Sequence, residues 1–132
     1  MERDLVISSQ LININEVRSF LNEIFAESGL NKNYFNRVFL GICEAVNNSI
    51  VHGNAFDEYK KVFIHVKCSK DKLQIEVKDE GNGFEAHRLP DPTLLENLKK
   101  ENGRGIFILK QIANEVQFSD EGRKVLIKYI LD

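Results

Sequence analysis

Cysteine is scarce in this chain. Cys43 and Cys68 are the only two in 132 residues, and they do not form a C-x-x-C pair. Cys43 sits in an apolar helical run and Cys68 in a strand-like run, so they read as two reduced, buried thiols rather than a disulfide framework or a metal site. Long apolar runs are missing too. Nothing approaches the roughly 20 residues of a membrane span, and the opening MERDLVISSQL has neither a long apolar core nor a cleavage-like segment. A cytoplasmic protein with no membrane contact is therefore expected. No basic block or stripe occurs: 18 Lys and Arg stand against 20 Asp and Glu, for a formal charge of −2. That balance disfavours nucleic acid as a direct partner. The G-x-x-x-x-G-K-[ST] pattern and the HRD and DFG triplets are absent, which excludes a P-loop and a eukaryotic-type protein kinase site. There is no internal repeat, low-complexity tract or interdomain linker.

What the chain does have is 42% hydrophobic residues, enough for one domain with a single core over residues 1–132. Asp4 to Ser9 reads as a short strand. Asn15 to Ser28 places Val17, Phe20, Leu21, Ile24 and Phe25 at helical spacing, with Gly29 in the position of a cap. Asn31 to His52 gives a second helix, closed by Gly53 and Asn54. Val62 to Lys67 and Leu73 to Lys78 alternate and form a hairpin across Ser69 to Lys72. A polar stretch holding both prolines, Pro90 and Pro92, follows; the capping-box spacing of Thr93 and Glu96 predicts a short helix there. Ile106 to Asn114 reads as a helix, and Val116 to Ser119 with Lys124 to Ile130 as a second hairpin. Paired hairpins and apolar helices predict an α+β two-layer sandwich, its mixed but mostly antiparallel sheet covered on one face by helices.

Three segments carry chemistry. In the first, EAVNNSIVHGN, the helical step of about 100° per residue puts Glu44, Asn48 and His52 on one slanting stripe. Leu40 and Val51 border it, so the stripe lines a pocket whose polar groups need partners. In the second, Val77 to Phe84, a strand runs into D-x-G-x-G. Its glycines allow a sharp turn and close approach to a flat ligand, and an Asp at the strand end can accept hydrogen bonds from an exocyclic amine. In the third, NGRGIFI, Gly103 and Gly105 precede an apolar helix whose free amides and dipole favour phosphate, with Arg104 at hand. Each segment alone also has a plainer reading: a solvated helix face, a glycine-rich turn, a flexible loop before a helix.

Together, in this order and spacing, the E-x-x-x-N-x-x-x-H-G, D-x-G-x-G-F and G-x-G-hydrophobic boxes resemble those of the GHKL ATPases, the Bergerat fold. Within that group the short chain and the wording EAVNNSIVHGN are most similar to the anti-sigma factor serine/threonine-protein kinase branch. The resemblance covers nearly the whole chain, with no histidine-phosphotransfer helix expected before it and no transducer domain after it. It implies Glu44 as general base and Asn48 as the residue holding Mg²⁺ against the phosphates. It implies Asp79 as the carboxylate that takes the adenine amine, and Gly81 and Gly83 as the glycines beneath the base. Residues at about 85–102 match the ATP lid. Gly103, Arg104 and Gly105 match the glycine box near the phosphates, and His52 falls at the family's histidine position.

The resemblance further implies ATP and Mg²⁺ as cofactors. The implied activity is that of an ATP-dependent serine-protein kinase and anti-sigma factor in a partner-switching system. Such a protein binds a sigma factor and phosphorylates a serine of a single-domain anti-sigma antagonist. The alternative is an ATP/ADP-sensing binding module with weak or no phosphotransfer and a non-sigma partner. The branch commonly dimerises, and the first strand with its following helix offers a face for a homodimer.

Overall fold

A computed structural model describes residues 1–81 and 109–131. Among them, five strands form one sheet: β1 (Glu2–Ser8), β2 (Lys61–Ser69), β3 (Lys72–Asp79), β4 (Glu115–Ser119) and β5 (Lys124–Ile130). Their spatial order is β1-β2-β3-β5-β4, and all four pairings are antiparallel. Two helices, α1 (Ile14–Ser28) and α2 (Phe35–Asn48), lie between β1 and β2 in the chain. This is the expected α+β layer architecture, with no parallel pairing among the described strands.

Period-two alternation places the two layers. In β2, Val62, Ile64, Val66 and Cys68 are buried while Lys61, Phe63 and Lys67 are exposed; in β3, Leu73, Ile75, Val77 and Asp79 point the same way inward. The inner face meets Val17, Phe20, Leu21 and Ile24 of α1 and Val38, Ile42 and Val46 of α2 in one core. Both helices show the i, i+3, i+4, i+7 spacing that such a face requires. The outer face is mostly polar, with Val6, Phe63, Leu126 and Ile130 among its apolar residues, and there His65 reaches Asp4 of the edge strand at 2.6 Å.

Chain punctuation follows local chemistry. Gly29 takes φ 63°, which costs glycine little, and the Leu30 N–H returns to the Phe25 carbonyl at 3.2 Å, closing α1. The Asn31 side chain accepts from the Asn33 N–H and starts a 3₁₀ turn that leads into α2. The helix expected over Asn31 to His52 is thus three pieces: this turn, α2, and a π-type turn over Ser49–Gly53. Cys43 and Cys68 are both free, as expected. No described helix is long and apolar enough to cross a membrane.

Candidate nucleotide site

β3 ends at Asp79, and the π turn ends at Gly53. These two chain ends are pressed together. Asp79 is only 4% exposed. A Cβ on Gly53 would lie 2.3 Å from Asp79 Oδ2, and a Cβ on Gly81 would lie 1.8 Å from the Gly53 carbonyl oxygen. Any side chain at either glycine would collide, so both positions require the bare backbone. Two of the three sequence boxes therefore meet in space, carboxylate against helix end.

The π turn makes that meeting possible. Asn54 N–H donates to the Ser49 carbonyl at 2.7 Å, an i→i+5 bond that widens the helix by one residue. Ala55 and Phe56 then take positive φ of 51° and 61°, turning the chain sharply toward β2. Ser49, at the start of the wide turn, is buried, and its hydroxyl lies near enough to Asp79 to favour the charged carboxylate. Asp79 Oδ1 also accepts the Gly81 N–H at 2.9 Å, and the Asp79 N–H donates to the Arg123 carbonyl at 2.9 Å.

Burial raises the Asp79 pKa above the ordinary carboxylate value; the Gly81 amide, the Ser49 hydroxyl and the Arg123 charge pull it back. A carboxylate held dry but only part-satisfied is a strong acceptor for a donor that a ligand brings. The residues present thus fit an exocyclic amine at this end.

Glu44 and Asn48 follow one turn apart on α2, both half-buried. Neither side chain makes a hydrogen bond or ion pair with another described residue. Their oxygens remain available, which fits a magnesium ion that takes one neutral protein oxygen beside phosphates and waters. Glu44 lies close enough to Cys43 to help push that thiol up to about 11, after burial as the main cause and against the Arg18 charge. His52 stands in the π turn and is exposed, as is Leu40, while Val51 is half-buried. The wider turn changes the angular step past Asn48, so His52 does not simply continue the stripe drawn at 100° per residue. Gly83, Gly103, Arg104, Gly105 and the lid at about 85–102 lie outside the described residues.

Asn54 is the site residue that sequence reasoning read only as a terminator. It is 1% exposed. Its amide donates to Ser9 Oγ at 2.8 Å and to the Lys61 carbonyl at 2.9 Å, and its oxygen accepts the Glu80 N–H at 2.9 Å. Ser9 Oγ in turn donates to the Lys60 carbonyl at 2.7 Å. One side chain thereby fastens the end of β1, the start of β2 and the residue between Asp79 and Gly81. A polar residue directly after H-G was the available signal.

The chain is similar to known proteins along most of its length. The family described as histidine kinase-like ATPase domain matches residues 7–129. The anti-sigma F factor of Clostridium perfringens (strain 13 / Type A) is 31% identical over 93 residues, 66% of this chain and 66% of that protein's own length. The anti-sigma F factor of Halalkalibacterium halodurans is 26% identical over 133 residues, covering 96% of this chain and 90% of that protein. Serine-protein kinase RsbW of Listeria monocytogenes is 25% identical over 130 residues, 86% of this chain and 77% of that protein. Among solved structures, the RsbU and RsbW domains of a Mycobacterium tuberculosis protein superpose with a TM-score of 0.67 at 16% identity. That match covers 98% of this chain and 31% of the other, and it speaks for the fold.

Proposed function

This chain belongs to the histidine kinase-like ATPase domain family, and from that premise we propose that it is an ATP-dependent serine-protein kinase acting as an anti-sigma factor. The observation that carries the reading is the junction of Asp79 with Gly53 and Gly81, which leaves a dry carboxylate at one end of the cleft. Relatives named anti-sigma F factor and serine-protein kinase RsbW support the class of activity.

Asp79 accepts the adenine amine, with Gly81 and Gly83 beneath the base. Asn48 would offer its side-chain oxygen to Mg²⁺, which when bound would supply positive charge to stabilise the phosphates. Gly103, Arg104 and Gly105 are assigned the amide donors and cation for the phosphates, and His52 is assigned to the nucleotide-binding set. Glu44, one helical turn before Asn48, orients a serine hydroxyl of the partner protein and takes its proton as that oxygen bonds to the γ-phosphorus. The ADP oxygen leaves, and the phosphoryl group ends on the serine. Residues 85–102 act as the lid. The partners are a sigma factor and a single-domain antagonist, the antagonist being the phosphorylated one.

A nucleotide sensor that only binds and releases a partner would keep Asp79 and its glycines but need no base. Glu44→Gln separates the two. With labelled ATP and a candidate antagonist, the variant is expected to bind ATP as the native chain does and to lose phosphotransfer by about two orders of magnitude or more. Transfer at the native rate would remove Glu44 from the base role.

A further inference from the structure

At the end of the sheet away from Asp79 there is a hollow of about 550 Å³. β3 runs from Lys72 beside this hollow to Asp79, a span of roughly 23 Å at about 3.3 Å per residue. The hollow is therefore a different place from the nucleotide cleft. Strand register builds it. Lys67 of β2 lies opposite Gln74 of β3, and Gln74 lies opposite Lys128 of β5, so the middle of one row on the outer face reads Lys-Gln-Lys, with Glu2 of β1 opposite Lys67 and Glu115 of β4 opposite Lys128 at its two ends. Lys72 flanks the row at the start of β3, and all four residues line the hollow.

Three lysines, Lys67, Lys72 and Lys128, stand among the lining groups beside one carboxylate. Asn114 also lines it, and its oxygen is taken by the Ile130 N–H at 2.9 Å. The carboxylate in the lining is Glu115, and it is already engaged, by Lys128 at 3.4 Å and by the Gln117 amide at 2.5 Å. Lys67 and Lys72 make no ion pair with any described residue. The lining so carries a surplus of uncommitted positive charge in a chain whose formal charge is −2.

We propose that this hollow is a second anion site, which takes a small ligand carrying two or more linked phosphate groups. Exposed lysines hold a single charge weakly because solvent screens each pair. A ligand with several charges engages them together. Lys67 and Lys128 stand two strand spacings apart, roughly 10 Å at the backbone. Flexible four-carbon stems can converge from that separation on a diphosphate, and lysine binds phosphate as a point charge without demanding a planar fork. The strands that carry these residues are fixed by a continuous ladder, so the anchor points are rigid even where the side chains are not.

The proposal does not rest on the nucleotide reading, and its test reports the two ends separately. Amide chemical shifts of the whole chain are followed while pyrophosphate is added without magnesium at constant ionic strength. Saturating shifts at Lys67, Lys72, Gln74, Asn114 and Lys128 are expected. A Lys67→Gln, Lys72→Gln double variant, altered only at exposed positions, should weaken that saturation by about tenfold or more and leave the shifts of Asp79 and Gly81 unaltered. Shifts that never saturate, or that appear only around Asp79 and Gly81, would overturn the site. Tighter saturation at the same amides by a hexaglutamate peptide than by pyrophosphate would overturn the phosphate assignment.

Discussion

Gly53 and Asp79 are in contact so close that the missing Cβ of one defines the place of the other: a methyl on Gly53 would stand 2.3 Å from Asp79 Oδ2 and 2.4 Å from its Cγ. The contact joins the end of the helix that carries Glu44 and Asn48 to the end of the strand that carries Asp79. Gly53→Ala must therefore push the carboxylate, the π turn, or both. Nucleotide affinity is expected to fall by about tenfold or more, with circular dichroism still showing the folded spectrum. Native affinity in a calorimetric titration of Gly53→Ala would show that this contact does not position Asp79.

Asp79 also links function to stability through its proton. Its folded pKa is raised, with burial as the largest cause. The folded state accordingly holds the proton more tightly than the unfolded chain does. The stability this confers is full below the unfolded value near 3.8 and is lost as pH rises through the raised folded value. The charged carboxylate is therefore less favoured in the folded protein than in the unfolded chain. Asp79→Asn, which keeps the shape and an acceptor oxygen, should melt at least as high as the native chain at pH 7, with the difference shrinking toward pH 3.5. A lower melting temperature for the variant at pH 7 would contradict the sign.

A third expectation concerns the floor under α2. Tyr129 is 1% exposed, and its hydroxyl has no hydrogen-bond partner. A Cβ on Gly41 would lie 1.9 Å from that oxygen, so Gly41 leaves room for it. Tyr129→Phe should be neutral or stabilising by up to about 1 kcal/mol, because an unpaired buried hydroxyl is removed. Gly41→Ala should destabilise by about 1–3 kcal/mol through overpacking. Placed together, the two changes should recover part of that loss, since phenylalanine lacks the clashing oxygen. Denaturant unfolding of the four proteins measures it; strict additivity would mean the two residues do not meet.

Much of this was legible in the chain, and the parts that were not have physical causes. Alternation in VFIHVK and LQIEVK fixed which residues face the helices, since the period of a strand admits only two faces. Gly29 and the Ser69–Lys72 turn marked element ends through their backbone preferences. The E-x-x-x-N-x-x-x-H-G and D-x-G boxes announced a shared site, and Gly53, Asp79 and Gly81 do meet. The π turn was not legible. It sets Gly53 against Asp79 on another element, and periodicity sees only one helix at a time. Asn54 was missed for a related reason: its three partners come from three separate strand ends, none adjacent in the sequence.

The central claim, that Asp79 receives an adenine amine in a cleft formed with Gly53 and Gly81, is tested most directly by calorimetric titration of the native chain and Asp79→Asn with magnesium and either ATP or GTP. Guanine places an acceptor where adenine has its donor, leaving the buried carboxylate unpaired. The native chain should bind ATP on the order of a hundredfold or more tightly than GTP, and Asp79→Asn should lose most of its ATP affinity. Equal affinity for the two nucleotides, or an Asp79→Asn variant that binds ATP like the native chain, would contradict it.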